Sequence, residues 1–282
     1  MSRSTLHSSW EEEIARSIER YPKPNSIGWE LYRYFEDGGD EIGAAAAIVG
    51  KDPLFAIEAI RYSNTAAYGS RSAESVEDAV AILGLARLSR LALSYAFRSL
   101  SGSALPVYDL SSEEFYRQSL ACAAAMERFF DDVPERRGTM YTVGLLHAVG
   151  EIFIDAAVRC LVYEPVRLIC SSPTKLAAIE ASFLGLNQAN VAGMALRSWR
   201  FPASIYGPIE RQFAARVGSR HFEAAQALGV ARYVAGKVIE AGRGVASPMK
   251  DKDRIVYRGK PLSDVFEYAL AQCEQLEAIS AA

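Results

Sequence analysis

Residues 51–64, KDPLFAIEAIRYSN, carry the signal that decides the fold, because they begin as helices begin and lack the alternation of a strand. Asp52 is placed to cap the amino terminus of a helix. Pro53 follows at the first helical position, where its missing N–H costs nothing. The stretch therefore predicts an α-helix that begins at Pro53.

The same start and stop signals recur along the rest of the chain. Ser75 and Asp78, like Ser111 and Glu114, stand three residues apart, which is the spacing of a capping box. Gly84 stands where the first of these helices would end. Further helices are predicted from Ser172–Pro173 to Gly185, from Asn187 to just before Pro202, and from Ser219 to the glycines near residue 242. Since the connections are short, the sequence predicts an all-α, multi-helix fold.

Two irregular stretches divide the chain. Residues 101–112, SGSALPVYDLSS, are rich in Ser, Gly and Pro and have no helical period. They predict an N-terminal helical part at 8–105 and a C-terminal helical part at 106–282. Residues 242–261 form the longest irregular and most charged stretch, and we expect an exposed loop there with a short extended piece at RIVYRG.

The composition is that of an ordinary globular protein. The 282 residues are 50% hydrophobic and 23% charged, with a net charge of −3 that neither indicates nor excludes nucleic acid. No uncharged apolar run approaches the roughly 18 residues of a membrane span, and the acidic amino terminus is unlike a secretory signal. The 4 cysteines have no C-x-x-C spacing. We expect a cytoplasmic protein without membrane association.

The chain resembles the HDOD (HD-related output domain) family of bacterial signalling proteins from about Tyr21 to about residue 240. In the first half the resemblance depends on YPKPN, DPLFAIEAIRYSNTAAYG and SVEDAVAILGLARLSRLAL. In the second half it depends on FYRQSLACA, GLLHAVGEIFI, EASFLGLNQANVAGMALRSWRFP and PIERQF. The order and spacing of these segments together make the match specific. It implies an HD-domain-like helical fold with an HD-derived C-terminal subdomain.

The resemblance implies a relation to HD-type metal phosphohydrolases, in which histidines and aspartates hold metal ions that activate water. Where those enzymes have a first histidine, this chain has Gln118. In the His–Asp pair His147 remains, but Ala148 replaces the aspartate. Asn187 and Gln188 stand where a third histidine often follows. The carboxylate that would offset the charge of a dication is therefore missing.

The last of the expected ligand positions is also changed. Arg211 and Gln212 stand where a His–His pair would come, and Arg211 adds positive charge if it points into the former site. The sequence has only 3 histidines, and one imidazole among amides cannot hold a metal ion with useful affinity. We therefore expect no cofactor and no metal. His147 then either bonds a backbone carbonyl or an amide such as Gln188, or contacts a ligand directly.

A run of arginines and aromatic residues follows, and it has two interpretations. It is either a phosphate-binding and base-stacking patch, or aromatic core residues with arginines that extend to the surface. The arginines are Arg197, Arg200, Arg211, Arg216 and Arg220, and the aromatic residues are Trp199, Phe201, Tyr206 and Phe213. The patch interpretation predicts binding of nucleic acid or a cyclic dinucleotide, which is the less favoured of the two.

Two single residues carry smaller expectations. Asn64 ends a predicted helix, and its amide is expected to bond nearby backbone groups. Glu180 lies on the apolar side of a predicted helix, and if it is buried it needs a partner, most naturally an arginine.

The sequence thus predicts a non-enzymatic regulatory module that acts through a signalling protein or a nucleotide ligand. The alternative is an HD-type phosphohydrolase with rearranged ligands, which requires carboxylates such as Glu151 or Asp155 to converge on His147.

Overall fold

The computed structural model describes residues 3–20, 27–65, 72–164, 166–170, 172–244 and 255–281. These residues are mostly helical, so the predicted all-α fold is confirmed. The helices are α1 Arg3–Arg20, α2 Ile27–Glu36, α3 Ile42–Val49, α4 Pro53–Ser63, α5 Val76–Leu83, α6 Leu85–Leu100, α7 Ser112–Phe129, α8 Pro134–Leu146, α9 Val149–Leu161, α10 Pro173–Leu184, α11 Gln188–Ser198, α12 Ala203–Glu210, α13 Phe222–Gly242 and α14 Leu262–Ala281. A 3₁₀ turn occupies Pro106–Tyr108, and β1 Val256–Tyr257 pairs antiparallel with β2 Lys260–Pro261.

The described chain forms two compact units. One unit consists of Met1–Lys23 with Ser101–Leu270, and the other of Pro24–Leu100 with Ala271–Ala282. The sequence division at residues 105 and 106 is linear, whereas in the structure α1 packs on α9 and α10 in the larger unit. No local signal in the sequence predicts that α1 joins the larger unit, because its position depends on how its apolar face fits those of α9 and α10.

Side-chain caps set the helix boundaries in the smaller unit. Asp52 accepts hydrogen bonds from the backbone N–H groups of Leu54 and Phe55, over 3.0 and 3.1 Å. Ser75 and Asp78 form the predicted capping box. Asn64 donates to the carbonyl of Ala73 over 3.1 Å and accepts from its N–H over 2.7 Å, as expected. This pair ties the end of α4 to the approach to α5.

The core of the smaller unit is formed where α2 packs on α6 and where α5 contacts α3 and α4. Its buried apolar residues include Leu31, Val49, Phe55, Val80 and Leu88. Burial of this aliphatic and aromatic surface is the main favourable free-energy term in folding of the unit.

Helix α7 is central to the larger unit and packs along α8 and α13, while α9 packs on α11. Two glycines allow these close approaches. A Cβ on Gly144 of α8 would lie 2.6 Å from the Cα of Ala123 on α7, and a Cβ on Gly150 of α9 would lie 2.0 Å from the carbonyl oxygen of Gln188 on α11. The absence of side chains at these two positions brings the α8–α9 corner against both neighbours.

Two sequence expectations differ from the structure in the C-terminal part. Helix α13 begins at Phe222 rather than at Ser219, because Ser219 accepts through its carbonyl in a turn that precedes the helix. In the irregular stretch 242–261, residues 245–254 lie outside the described residues, and Val256–Tyr257 is the expected extended piece. Arg258 is largely buried: its guanidinium lies over the ring of Phe130 and its Nε donates to the carbonyl of Phe129 over 2.8 Å.

Candidate functional site

His147 occupies the corner between α8 and α9 and is fully buried. Its Nδ1 lies 2.7 Å from the carbonyl oxygen of Gly144, which is the backbone hydrogen bond that the sequence suggested. A carbonyl only accepts, so Nδ1 carries the proton and Nε2 is the ring's acceptor. Burial, helped by the charge of Arg232, lowers the pKa of His147 to about 3, so the ring is neutral at physiological pH.

Two glutamines converge on the backbone beside this ring. Gln212 donates from Nε2 to the carbonyl of His147 over 3.1 Å. With its amide turned to satisfy its neighbours, Gln188 donates to the same carbonyl over 3.1 Å. The structure therefore brings together three of the residues that the resemblance pointed to, His147, Gln188 and Gln212, but through the backbone of His147 rather than through its ring.

Arg232 on α13 completes this cluster. Its side chain is buried, and Nη1 donates to Gln212 Oε1 over 2.5 Å and to the turned amide oxygen of Gln188 over 2.7 Å. Its guanidinium lies over the ring of Phe213, 4.6 Å from the centroid. Burial lowers the pKa of Arg232, and Glu151, Cys122 and Glu180 oppose this shift only in their ionised forms. An arginine stays protonated in proteins, so a fixed positive charge lies inside the former site.

The nearby carboxyl groups face different partners. Glu180 is buried and accepts from the hydroxyl of Tyr108 over 2.9 Å and from the N–H of Gln188 over 2.8 Å. Its direct hydrogen-bond partners are thus a phenol and a backbone amide, not the arginine expected from the sequence. Burial raises the pKa of Glu180, and burial raises that of Glu151 to about 8 against the opposing charge of Arg232.

Asp155 is turned towards another part of the same unit. It accepts from the N–H of Val107 over 2.9 Å and lies 3.2 Å from Nε of Arg159. Cys122 on α7 is buried, and burial raises the pKa of its thiol to about 12, so it stays protonated. Among the described residues, neither group joins Glu151 in a cluster that could hold a metal ion.

These donors do not fit a divalent metal ion. Across the ranges that the structure describes, no three His, Cys, Asp or Glu side chains lie close enough to hold one ion. The amide oxygen of Gln212 is engaged by Arg232, and the guanidinium brings a like charge next to the place that a cation would take. HD-type metal chemistry would need a carboxylate where Ala148 stands.

The other residues that the resemblance pointed to lie outside this cluster. Gln118 is half-buried on α7, and Asn187 caps α11 by accepting from the N–H groups of Ala189 and Asn190. Arg211 is exposed, and its Nη1 lies 3.5 Å from the carbonyl of Gly207. The positive charge in the former site therefore comes from Arg232, not from Arg211.

The arginine–aromatic run separates into an outer and an inner layer. Arg197 is exposed and pairs with both carboxylate oxygens of Glu210, over 2.8 and 3.0 Å. Arg200 and Arg216 are exposed, whereas the ring of Trp199 packs 5.9 Å from that of Phe153. This arrangement agrees with the interpretation of aromatic core residues and surface arginines.

Sequence reasoning missed Arg232, although the sequence held a signal. The residue falls on the apolar stripe of α13 with Leu228, Ala231, Ala235 and Ile239, which are all buried. A single arginine on such a stripe indicates a buried charge with specific partners. Those partners come from α11 and from the segment after α12, and their positions cannot be read from α13 alone.

The comparison with protein families agrees with this geometry. The profile of the HDOD domain matches residues 22–214, which is more than half of the chain. The chain belongs to the HDOD family. Arg232 lies beyond the matched residues, so the buried charge of this HDOD protein enters from outside the part that defines the family. A comparison with curated proteins gave no match.

Solved structures share the fold of this HDOD protein at low sequence identity. An HDOD domain protein of unknown function from Geobacter sulfurreducens has a TM-score of 0.64 and 16% identity, with 99% of this chain and 95% of that chain covered. A proposed phosphohydrolase from Shewanella amazonensis has a TM-score of 0.62 and 18% identity, with 94% and 98% covered. A proposed signal transduction protein from Marinobacter aquaeolei has a TM-score of 0.63 and 18% identity, with 98% and 66% covered.

Among the residues that the structure describes, the helical stretch Pro134–Leu161 is long and apolar enough to cross a membrane. It comprises α8 and α9, and 94% of its most apolar window is buried inside the protein. The core helices of soluble proteins pass the same test, so the stretch is weak support for a membrane span.

Proposed function

We propose that this HDOD protein is a non-catalytic regulatory module that acts by binding, either to a signalling protein or to a nucleotide-type ligand. The observation that carries the proposal is the buried guanidinium of Arg232, which two glutamine amides hold beside His147. The guanidinium thus places a permanent positive charge in the polar cluster around His147, without a metal ion. The HDOD family and its likeness in fold to a proposed signal transduction protein support the regulatory role.

Electrostatics favours this function over metal-dependent hydrolysis. A dication next to a buried guanidinium would be repelled in a medium of low dielectric constant. Such an ion would also compete for the amide oxygens that now accept from Arg232, and removing those acceptors would leave a buried charge unpaired. A phosphohydrolase with rearranged ligands needs carboxylates such as Glu151 or Asp155 to converge on His147, but Asp155 accepts from Val107 and pairs with Arg159.

A partner or a small ligand remains the proposed target, and nucleic acid is not favoured. Arg197 is already paired with Glu210, and the ring of Trp199 packs against that of Phe153. A cytoplasmic location without membrane association is part of the same proposal, and the burial of Pro134–Leu161 supports the second half of it.

The test combines metal analysis with an activity assay on the full chain purified without chelator. We expect substoichiometric zinc, manganese and iron, and no phosphodiesterase turnover above that of a His147→Ala variant. His147→Gln serves as the matched control, because it retains a polar side chain at the same position. Stoichiometric metal together with turnover that is lost in His147→Ala would overturn the proposal.

A further inference from the structure

We propose that a cleft above Arg232 binds a small phosphorylated ligand through its phosphate group. This inference rests on the proposed binding function and names the class of ligand. The cleft has a volume of about 190 Å³ and lies within the larger unit. Its walls are the first turn of α10, the segment that follows α12 and one face of α13, and Arg232 is among the residues that line it.

Arg232 places a buried positive charge at the wall of this cleft. The side chain is 94% buried, with 6% exposed, and Gln212 and Gln188 hold Nη1 in place. Its Nε, by contrast, has no hydrogen-bond partner in the part of the chain that the structure describes. This Nε is itself enclosed, so Arg232 contributes a buried positive charge to the cleft, and a phosphate group supplies the complementary negative charge.

Two further features of the wall favour an anion. Lys237 lines the cleft, and its Nζ lies 2.5 Å from a carboxylate oxygen of Glu240, which also lines it. Thr174 stands in the first turn of α10, where the helix dipole favours negative charge. Pro173 has no N–H and Ser172 Oγ already accepts from the N–H of Lys175, so the dipole rather than a set of free N–H groups favours an anion there. Arg232, Lys237 and the start of α10 thus face one small space.

The size of the cleft limits the ligand. Pockets that hold drug-sized molecules have volumes of about 300–1,000 Å³, and this cleft is smaller. It fits a phosphate group with part of its attached molecule, such as a nucleoside monophosphate, rather than an entire cyclic dinucleotide. Two sources share this chemistry, inorganic phosphate and a phosphate monoester, and the probes below distinguish them.

The glycines of α13 provide a variant that blocks the cleft without disturbing the core. Gly236 lines the cleft, and a Cβ built on it would meet no described atom within 4 Å. A leucine side chain at this position would project into the open space. Since leucine is a better helix former than glycine by up to about 1 kcal/mol, Gly236→Leu is expected to fold as well as the wild type.

The experiment is calorimetric titration of the full chain at low salt with inorganic phosphate, AMP and adenosine. Binding of both phosphate-bearing probes supports the proposal, and stronger binding of AMP identifies a monoester as the preferred source. Adenosine is expected not to bind, and added salt is expected to weaken the binding of AMP. If neither phosphate nor AMP binds, the proposal is overturned.

The variants test the site itself. We expect Gly236→Leu to abolish binding with an unchanged Tm, and Lys237→Gln to weaken it about tenfold, the effect of one lost charge-assisted hydrogen bond. Glu240→Gln should strengthen binding by roughly two- to fivefold, because it removes the competing carboxylate. Arg216→Gln, an exposed arginine outside the cleft, is the matched control and should leave the affinity unchanged.

Equal affinity in the wild type, Gly236→Leu and Lys237→Gln would overturn the cleft as the site. The proposed function fails by a different measurement, since it is overturned by stoichiometric metal with His147-dependent turnover. If phosphate compounds do not bind in the cleft, the proposal that the protein is a non-catalytic regulatory module still stands.

Discussion

Arg232 holds together the buried polar cluster of the larger unit. Its Nη1 is shared by two glutamines that in turn hold the carbonyl of His147, so one guanidinium connects three parts of the chain. An apolar or neutral replacement would leave both amide oxygens without their donor. Buried polar groups that lose their partners are expensive, whereas a surface arginine contributes little.

The first prediction concerns this residue. Arg232→Gln is expected to lower the free energy of unfolding by roughly 1–3 kcal/mol, because the two buried amide oxygens lose their donor. Urea denaturation monitored by circular dichroism measures the change. Arg216→Gln is the control and should stay within about 0.5 kcal/mol of the wild type, since Arg216 is exposed. An equal effect of the two substitutions would contradict the role given to Arg232.

The second prediction concerns pH and two buried groups with opposite shifts. The pKa of Glu151 is raised from 4.5 to about 8, so the folded state holds a proton that the unfolded state has lost, and stability falls as pH rises through this window. The pKa of His147 is lowered from 6.5 to about 3, so its contribution is lost as pH falls below about 6.5.

The two effects oppose each other between pH 4.5 and 6.5, and of these two groups only Glu151 titrates between pH 6.5 and 8. In that upper window we expect wild-type stability to fall by at most about 1.4 kcal/mol per pH unit. Glu151→Gln should flatten the slope. Urea midpoints measured at several pH values give the dependence of stability on pH. An identical dependence in the wild type and in Glu151→Gln would refute the role given to Glu151.

At the scale of elements, α9 packs closely on α11 at Gly150. A Cβ at this position would lie 2.0 Å from the carbonyl oxygen of Gln188, which begins α11. The helices would have to move apart, and the amide that Gln188 offers to Arg232 would move with them. The packing of two elements therefore sets the geometry of the polar cluster.

The third prediction follows from this contact. Gly150→Ala is expected to destabilise the protein by about 1–3 kcal/mol, because overpacking forces a backbone shift. Gly229→Ala on α13 is the matched control: its Cβ would meet no described atom within 4 Å, and it should be neutral or stabilising by up to about 1 kcal/mol. Thermal unfolding of both variants gives the comparison, and a lower Tm for Gly229→Ala than for Gly150→Ala would contradict it.

Much of the element structure could be predicted from the sequence, because capping is local. Asp52, Ser75, Ser111, Ser172 and Asn187 each bond backbone groups within a few residues, and each marks a helix start in the structure. The start of α13 was predicted three residues too early, since the turn at Ser219 resembles a cap in sequence. The polar cluster was only half predicted, because Arg232 reaches it from a distant helix.

At the scale of the whole molecule, the larger unit is discontinuous in sequence. Helix α1 packs on α9 and α10, and it contributes the fully buried Ile14 and the ring of Trp10, 5.5 Å from that of Phe183. Ser17 on α1 also approaches the carbonyl of Phe153 on α9, at 3.5 Å. The unit is therefore complete only when residues from the start of the chain are present.

The fourth prediction tests this discontinuity. A chain that lacks residues 1–23 is expected to have a markedly lower Tm and to bind a dye that recognises exposed apolar surface, because the faces of α9 and α10 lose their cover. Ile14→Ala is the gentler variant, with an expected loss of roughly 2–5 kcal/mol in the free energy of unfolding. An unaltered Tm in both would contradict the placement of α1.

Because Cys122 is buried, the rate at which its thiol is alkylated reports how often the surrounding helices open. A thiol that is enclosed and protonated cannot be alkylated until the helices around it separate, while the exposed Cys160 reacts at once and calibrates the reagent. Mass spectrometry of the peptides that contain Cys122 and Cys160, taken at a series of times, would therefore measure the frequency of local opening beside Arg232. A phosphate compound that closes this region should lengthen the half-life of labelling at Cys122 and leave that of Cys160 as it was.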